Sequence, residues 1–277
     1  VRKKTAILLS LVGLLVLLTG CTQVNEPITP NSEGIWNQYF VYPLSWLITE
    51  VAKFFGSSYG VAIILVTILI RLVLLPLMVK QTKSQVAVQN LQPEIQKLRE
   101  KYSSKDPETQ RKLQEETMRL FQETGANPFS GCLPLLVQMP ILLGFYHAIM
   151  RTQEIKNHSF LWFDLGNPDP FFLLPILAAV LTYLQQKIMI RDMDEVPQQI
   201  KMMTYMMPVM ILMFGIFLPA ALSLYWVIGT CFTIGQTLFV TGPAMRAAKK
   251  RHAEEKAKKE EQEKQNQQAQ KNKKKKR

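Results

Sequence analysis

The chain has 277 residues, 48% of them hydrophobic, and a formal net charge of +12. Apolar runs alternate with dense charge, which is the pattern of a polytopic membrane protein rather than of a soluble domain. Cys21, Cys132 and Cys231 lack the spacing of a zinc site or a disulfide framework, and no glycine loop with a lysine is present to hold a phosphate, so no metal, no cofactor and no ATP-driven transport is expected.

Arg2, Lys3 and Lys4 precede an apolar run from Ala6 to Leu18, followed by Leu18-Thr19-Gly20-Cys21. Residues 1–20 have the layout of a signal peptide: a charged start, an apolar middle and small residues before a cysteine. They resemble a bacterial lipoprotein signal, which implies cleavage before Cys21, a lipid on its sulfur, and residues from 22 onward outside the cytoplasm. Thr22 to Gly34 is polar with two prolines and is expected to be a linker. Trp36, Phe40, Leu44, Leu47, Val51 and Phe55 then recur at helical spacing, predicting an amphipathic helix at the outer membrane–water interface, bent or restarted at Pro43. Residues 21–58 thus form a lipid-anchored external segment.

Tyr59 to Val79 is the first span, long enough to cross a hydrocarbon core of roughly 30 Å. Lys80 to Asn127 is highly charged and contains two helical stripes, Leu91, Ile95, Leu98 and Tyr102, then Leu113, Leu120 and Phe121. Between the stripes, Ser103-Ser104-Lys105-Asp106-Pro107 supplies a turn, an N-cap and a proline at the first helical position, while Gly125 and Asn127-Pro128 stop the second helix. A thin cytoplasmic helical hairpin over 80–127 is the expectation.

Four more apolar spans follow: Phe129 to Met150, Phe171 to Ile188, Met206 to Phe217 and Ala221 to Val240. The fourth span is short unless it starts near Met202, and only Leu218-Pro219-Ala220 separates it from the fifth. Its methionines, Met202, Met203, Met206, Met207, Met210 and Met213, suit either a surface for varied apolar partners or gap filling between helices. The fold class is therefore an all-α polytopic membrane protein with five transmembrane helices, an external amphipathic helix and a cytoplasmic hairpin, its core spanning 59–245.

Charge gives the orientation. With Cys21 outside, five spans leave Lys80–Asn127, Met189–Ile200 and the tail in the cytoplasm. Lys80–Asn127 carries nine Lys or Arg, against one in residues 22–58 and two in Arg151–Pro170. The positive-inside rule agrees. The tail, 246–277, ends in Lys273-Lys274-Lys275-Lys276-Arg277 and has no apolar face. It implies an anionic partner, ribosomal RNA or membrane lipid.

Arg71 is the anomaly. A cation near the middle of a span costs about 2.5–3.5 kcal/mol on insertion scales, so it either pairs inside the bundle or faces water. No Asp or Glu occurs inside any span. Its expected contacts are water, amide oxygens and the carboxylate of a passing client. Polar company comes from Gln138 in the second span, Gln185 and Gln186 in the third, and Thr230, Thr233 and Gln236 in the fifth. Thr230, Thr233 and Thr237 share one helical face. On residue type alone, Tyr225 and Trp226 are packing aromatics. His147, His158 and His252 have no arrangement suited to a triad or a metal site, so an enzyme is not expected.

Over roughly Gly60 to Met245 the sequence resembles the YidC/Oxa family of membrane protein insertases, in the five-span lipoprotein form of Gram-positive bacteria. The resemblance rests on Arg71, Leu91-Gln92-Pro93-Glu94-Ile95, Asn127-Pro128 with Gly131-Cys132-Leu133-Pro134, Gln138-Met139-Pro140-Ile141, Phe160-Leu161-Trp162, Asp169-Pro170 and Leu224-Tyr225-Trp226, in that order. It implies a hydrophilic, positively charged groove with Arg71 at its centre, Gln138, Gln186 and Trp226 lining it, and an exit to lipid past the third and fifth spans. It further implies an insertase and chaperone for nascent membrane proteins, acting alone or with the Sec translocon, with the basic tail recruiting ribosomes. The alternative from another class is a solute or ion channel.

Overall fold

The computed structural model describes residues 26–131, 133–191, 196, 198–243 and 246–247. The signal segment 1–20, Cys21 and all but the first two residues of the tail lie outside the described residues. The chain divides into two compact units. The first is built from residues 26–76, 133–190 and 196–234, the second from 77–131, 191 and 235–247.

In the first unit, a π-helical turn, Asn37–Val41, runs directly into α1, Tyr42–Phe54. Pro43, second in α1, has no N–H for the carbonyl of Tyr39, and the wider π register precedes it. The face packed on protein is Val41, Ser45, Ile48 and Ala52, with Leu44, Leu47 and Val51 half-buried beside it. This corrects the expected stripe: Phe40 and Phe55, like Trp46 and Phe54, are exposed. The helix is apolar on two sides. One side meets the bundle, and the other is free for lipid.

Helix α2, Tyr59–Asn90, is 32 residues long and does not stop at Val79. Pro76 lies inside it; the helix continues through Lys80 to Asn90 because Lys83, Gln85 and Gln89 keep helical propensity and no breaker follows. Leu91 ends it, and α3, Gln92–Lys101, begins with Pro93 in its first turn. Helix α4, Pro107–Thr124, starts as anticipated: Asp106 accepts a hydrogen bond from the Thr109 amide at 2.9 Å, and Gly125 closes the helix at φ 65°. In the second unit, Leu91, Ile95 and Ala126 form a small buried cluster, with Val88, Leu120 and Phe121 against it. Of the two expected stripes, Leu91, Ile95, Leu120 and Phe121 meet here, whereas Leu98, Tyr102 and Leu113 are not part of the cluster.

Helix α5 spans Leu133–Arg151, with Pro134 in its first turn and Pro140 inside. After it come a short helix, α6, Gln153–Lys156, and a two-residue antiparallel pair, β1, Ser159–Phe160, with β2, Phe163–Asp164. This pair is the only departure from an all-α fold among the described residues. Asp169, 1% exposed, accepts hydrogen bonds from Trp162 Nε1 at 3.0 Å, the Phe171 amide at 3.1 Å and the Leu174 amide at 2.7 Å. It therefore caps α7, Leu173–Ile190, with a buried carboxylate and anchors the indole of the preceding turn.

Helix α8, Gln198–Phe217, starts upstream of Met202, which gives the fourth span its length. Helix α9, Ala220–Gln236, follows and ends in a π-helical turn, Thr237–Thr241. Met202, Met203, Met206, Met210 and Met213 are all exposed, so they do not fill gaps.

Segments within α2, α7, α8 and α9 are long and apolar enough to cross a membrane; α5, where the second of the five expected spans falls, is a helix of 19 residues ending at Arg151. The buried core of the first unit joins these helices through Ile63, Val66, Phe145, Ile149, Ala178, Ile211, Leu222 and Tyr225. The chain is a multi-pass helical membrane protein.

Candidate functional site

Arg71 projects from α2 one turn after Thr67, whose hydroxyl is turned back to the Ile63 carbonyl at 2.6 Å. Its guanidinium donates from Nη2 to Gln138 Oε1 of α5 at 3.2 Å. Gln138 Nε2 in turn donates to the Tyr225 hydroxyl of α9 at 2.6 Å, and the guanidinium lies within electrostatic reach of that same hydroxyl. Three spans are thus tied by one chain of polar groups. Among the described residues, no carboxylate pairs with Arg71.

Two residues shape the seat of the charge. Tyr225 is 2% exposed and is fixed by Phe145 of α5, the ring centroids 4.5 Å apart. Gly229, one turn further along α9, leaves the space into which the guanidinium fits: a Cβ there would stand 2.7 Å from Arg71 Nη2. By residue type Tyr225 is a packing aromatic, and Gly229 taken singly carries no signal. Their spacing of four on one helix, a hydroxyl followed by a missing side chain, is the signal that would have found both.

The other expected residues are less closely drawn together. Thr233 returns its hydroxyl to the Gly229 carbonyl at 2.9 Å. Thr230 is buried and Gln186 half-buried, and neither joins the Arg71–Gln138–Tyr225 chain. Trp226 is half-buried against the core. Gln236 belongs to the second unit, where its carbonyl accepts from the Thr241 hydroxyl at 3.5 Å.

A second polar knot closes the other end of α5. Arg151, 3% exposed, donates to Asn37 Oδ1 at 2.7 Å and to the Glu26 carbonyl at 2.8 Å, while Ser45 and Thr152 hydroxyls meet at 2.6 Å. These bonds fasten α1 to α5. Their role is structural, since they satisfy a buried cation and two hydroxyls within the protein.

Comparison with known proteins bears on the same residues. The model of the 60Kd inner membrane protein family matches residues 50–249. The chain is 59% identical over 245 residues to the membrane protein insertase MisCA of Bacillus subtilis (strain 168), covering 88% of this chain and 94% of that one. It is 61% identical over 239 residues to membrane protein insertase YidC 1 of Halalkalibacterium halodurans, covering 86% and 91%. A crystal structure of an active YidC insertase with its first transmembrane domain resolved superposes with a TM-score of 0.59 at 30% identity, over 75% of this chain and 47% of that one. Matched along most of its length by both sequence and fold, the chain belongs to the YidC/Oxa family of membrane protein insertases.

Proposed function

We propose that the protein inserts nascent membrane proteins into the bilayer, and chaperones their folding, through a hydrated intramembrane groove centred on Arg71. The observation that carries this reading is a half-buried cation whose partners among the described residues are neutral groups, Gln138 and the Tyr225 hydroxyl. A charge with a fixed acidic partner would be spent on structure; this one keeps its attraction for an incoming carboxylate.

In this mechanism a short polar segment of the client enters beside Arg71, Gln138, Gln186, Trp226, Thr230 and Thr233, where its polar groups avoid bare hydrocarbon. Arg71 draws acidic residues of that segment. The client's apolar helix then passes into lipid along α7 and α9, and hydrophobic transfer supplies the driving force. In this reading Cys21, lipid-modified, and α1 lie outside and the α3–α4 hairpin and basic tail lie in the cytoplasm, where the tail recruits ribosomes; the excess of Lys and Arg over Lys80–Asn127 supports that orientation. The protein acts alone or with the Sec translocon, and membrane lipids surround the exit.

Reconstitution tests the reading. Purified protein in liposomes without any Sec channel is expected to insert a short single-span client to a protease-protected state. A requirement for the Sec channel would reduce the protein to an assisting scaffold, and an ion conductance from the pure protein would make it a channel.

A further inference from the structure

The loop-proximal ends of α7 and α8 carry a cluster that the insertion mechanism does not use. Lys187 Nζ stands 5.5 Å from the centroid of the Tyr183 ring and 5.7 Å from that of Tyr205. The two rings are 6.0 Å apart. Lys187 is exposed, as is Tyr205 at 58%. Among the described residues no carboxylate lies within ion-pairing distance of this lysine. Aromatic faces flank the ammonium, and no acidic side chain among the described residues neutralises it.

The surface leading away from the cluster is ordered. Val180 and Ile176 precede Lys187 by seven and eleven residues and so share its face of α7. Val209 and Met213 follow Tyr205 by four and eight and share its face of α8. Consecutive helices joined by a short connection run antiparallel, so the two apolar files lie side by side, Val180 level with Val209 and Ile176 level with Met213. All four are exposed, at 50%, 49%, 56% and 59% for Val180, Ile176, Val209 and Met213. Eleven helical residues rise about 16 Å. That is close to the roughly 15 Å depth of one leaflet's hydrocarbon.

We propose that this seam binds one anionic phospholipid. Its phosphate sits at Lys187 between the Tyr183 and Tyr205 hydroxyls, and an acyl chain lies along the two files toward Ile176 and Met213. The exposed cation selects a net negative headgroup over a zwitterionic one. The apolar files require an attached chain, which a free phosphate ester lacks. Flexible Met213 at the deep end conforms to a chain of varying shape.

Native mass spectrometry of the full-length protein, after incubation with equal phosphatidylglycerol and phosphatidylcholine of matched chains, tests this. One phosphatidylglycerol is expected to be retained over phosphatidylcholine by about five-fold, the effect of one basic residue at an anionic surface. Lys187→Gln is expected to abolish the preference and Lys187→Arg to keep it, both with wild-type melting in detergent. Val209→Trp, which blocks the apolar file and leaves the lysine, is expected to lower retention of both lipids. Glycerol 3-phosphate is expected not to compete. Equal retention of both lipids by the wild type, a preference that survives Lys187→Gln, or full competition by glycerol 3-phosphate overturns the proposal.

Discussion

Gly229→Ala is the sharpest perturbation of the Arg71 seat. The new methyl would stand 2.7 Å from Arg71 Nη2, and ordinary contact begins near 3.4 Å, so the guanidinium must retreat by about 0.7 Å. Its bond to Gln138 is already 3.2 Å long, and a retreat of that size away from Gln138 would carry it beyond hydrogen-bonding distance. Loss of a hydrogen bond to a charged group costs about 1.5–3 kcal/mol. Replacing a mid-helix glycine by alanine returns about 0.5–1 kcal/mol. The net loss of stability is therefore about 1–2 kcal/mol, and the variant folds because the displaced atom ends a flexible side chain. Insertion is expected to fall by about ten- to a hundred-fold, since the displaced charge forfeits a contact of the same 1.5–3 kcal/mol with the client. Gly229→Leu is expected to be worse. Gly235→Ala is the control, because nothing lies within 4 Å of a Cβ there. The assay is client insertion into liposomes, normalised to folded protein by size exclusion and detergent melting. Wild-type insertion by folded Gly229→Ala and Gly229→Leu would show that the position of the guanidinium is irrelevant.

Arg71→Lys is expected to retain more insertion activity than Arg71→Ala or Arg71→Glu at equal expression; equal loss in all three would assign the role to guanidinium geometry instead of charge. Tyr225→Phe leaves Gln138 Nε2 without its 2.6 Å acceptor, and detergent melting is expected to report a loss of about 1–2 kcal/mol. Hydrogen bonds from Ser104 and Thr109 hold the Asp106 carboxyl well below its usual value of 3.8. A depressed folded-state value means the cap stabilises α4 fully above that usual value and weakens as pH falls beneath it. Protection of the first-turn amides of α4 against hydrogen exchange, taken relative to the intrinsic rate at each pH, is expected to fall in that acid range, and Asp106→Asn to remove the pH dependence. Removing residues 246–277 is expected to weaken ribosome binding at low salt and leave insertion of a purified short client unchanged; binding that is the same at all salt concentrations excludes the tail as the contact.

The parts of the fold set by local chemistry were legible. Asp106-Pro107 opens α4 and Gly125 closes it, because capping needs only neighbouring residues. The apolar runs marked the spans for the same reason. What escaped depended on tertiary contact. The buried face of α1 is set by where α5 lies, and a helix apolar on several sides does not declare which side that is. Arg71 and Gln138 could be flagged singly as polar residues in apolar runs. Tyr225 could not, since a tyrosine in a membrane helix is ordinary until its hydroxyl is seen 2.6 Å from an amide. Gly229 carries its information as an absence of atoms, visible only once a guanidinium fills the space.

The way Arg71 is held bears on how tightly a client can be gripped. Removing one member of a buried ion pair costs about 3–5 kcal/mol, so an arginine already paired with a protein carboxylate would give it up only at that cost. A bond to a neutral amide is worth about 1.5–3 kcal/mol, and a client carboxylate that displaces it is repaid in kind. Under the proposed mechanism, exchange between Gln138 and the client then runs close to energetic balance, as a group that releases its ligand each time a helix leaves for lipid would need. The Gln138–Tyr225 bond stays made throughout, so the acceptor keeps its orientation while the arginine is away. On this argument a carboxylate introduced at position 138 should harm insertion more than a neutral residue there: Gln138→Glu would add stability and trap Arg71, whereas Gln138→Ala would only loosen it. Insertion by Gln138→Glu at or above that of Gln138→Ala would refute the idea that a neutral partner keeps the arginine available.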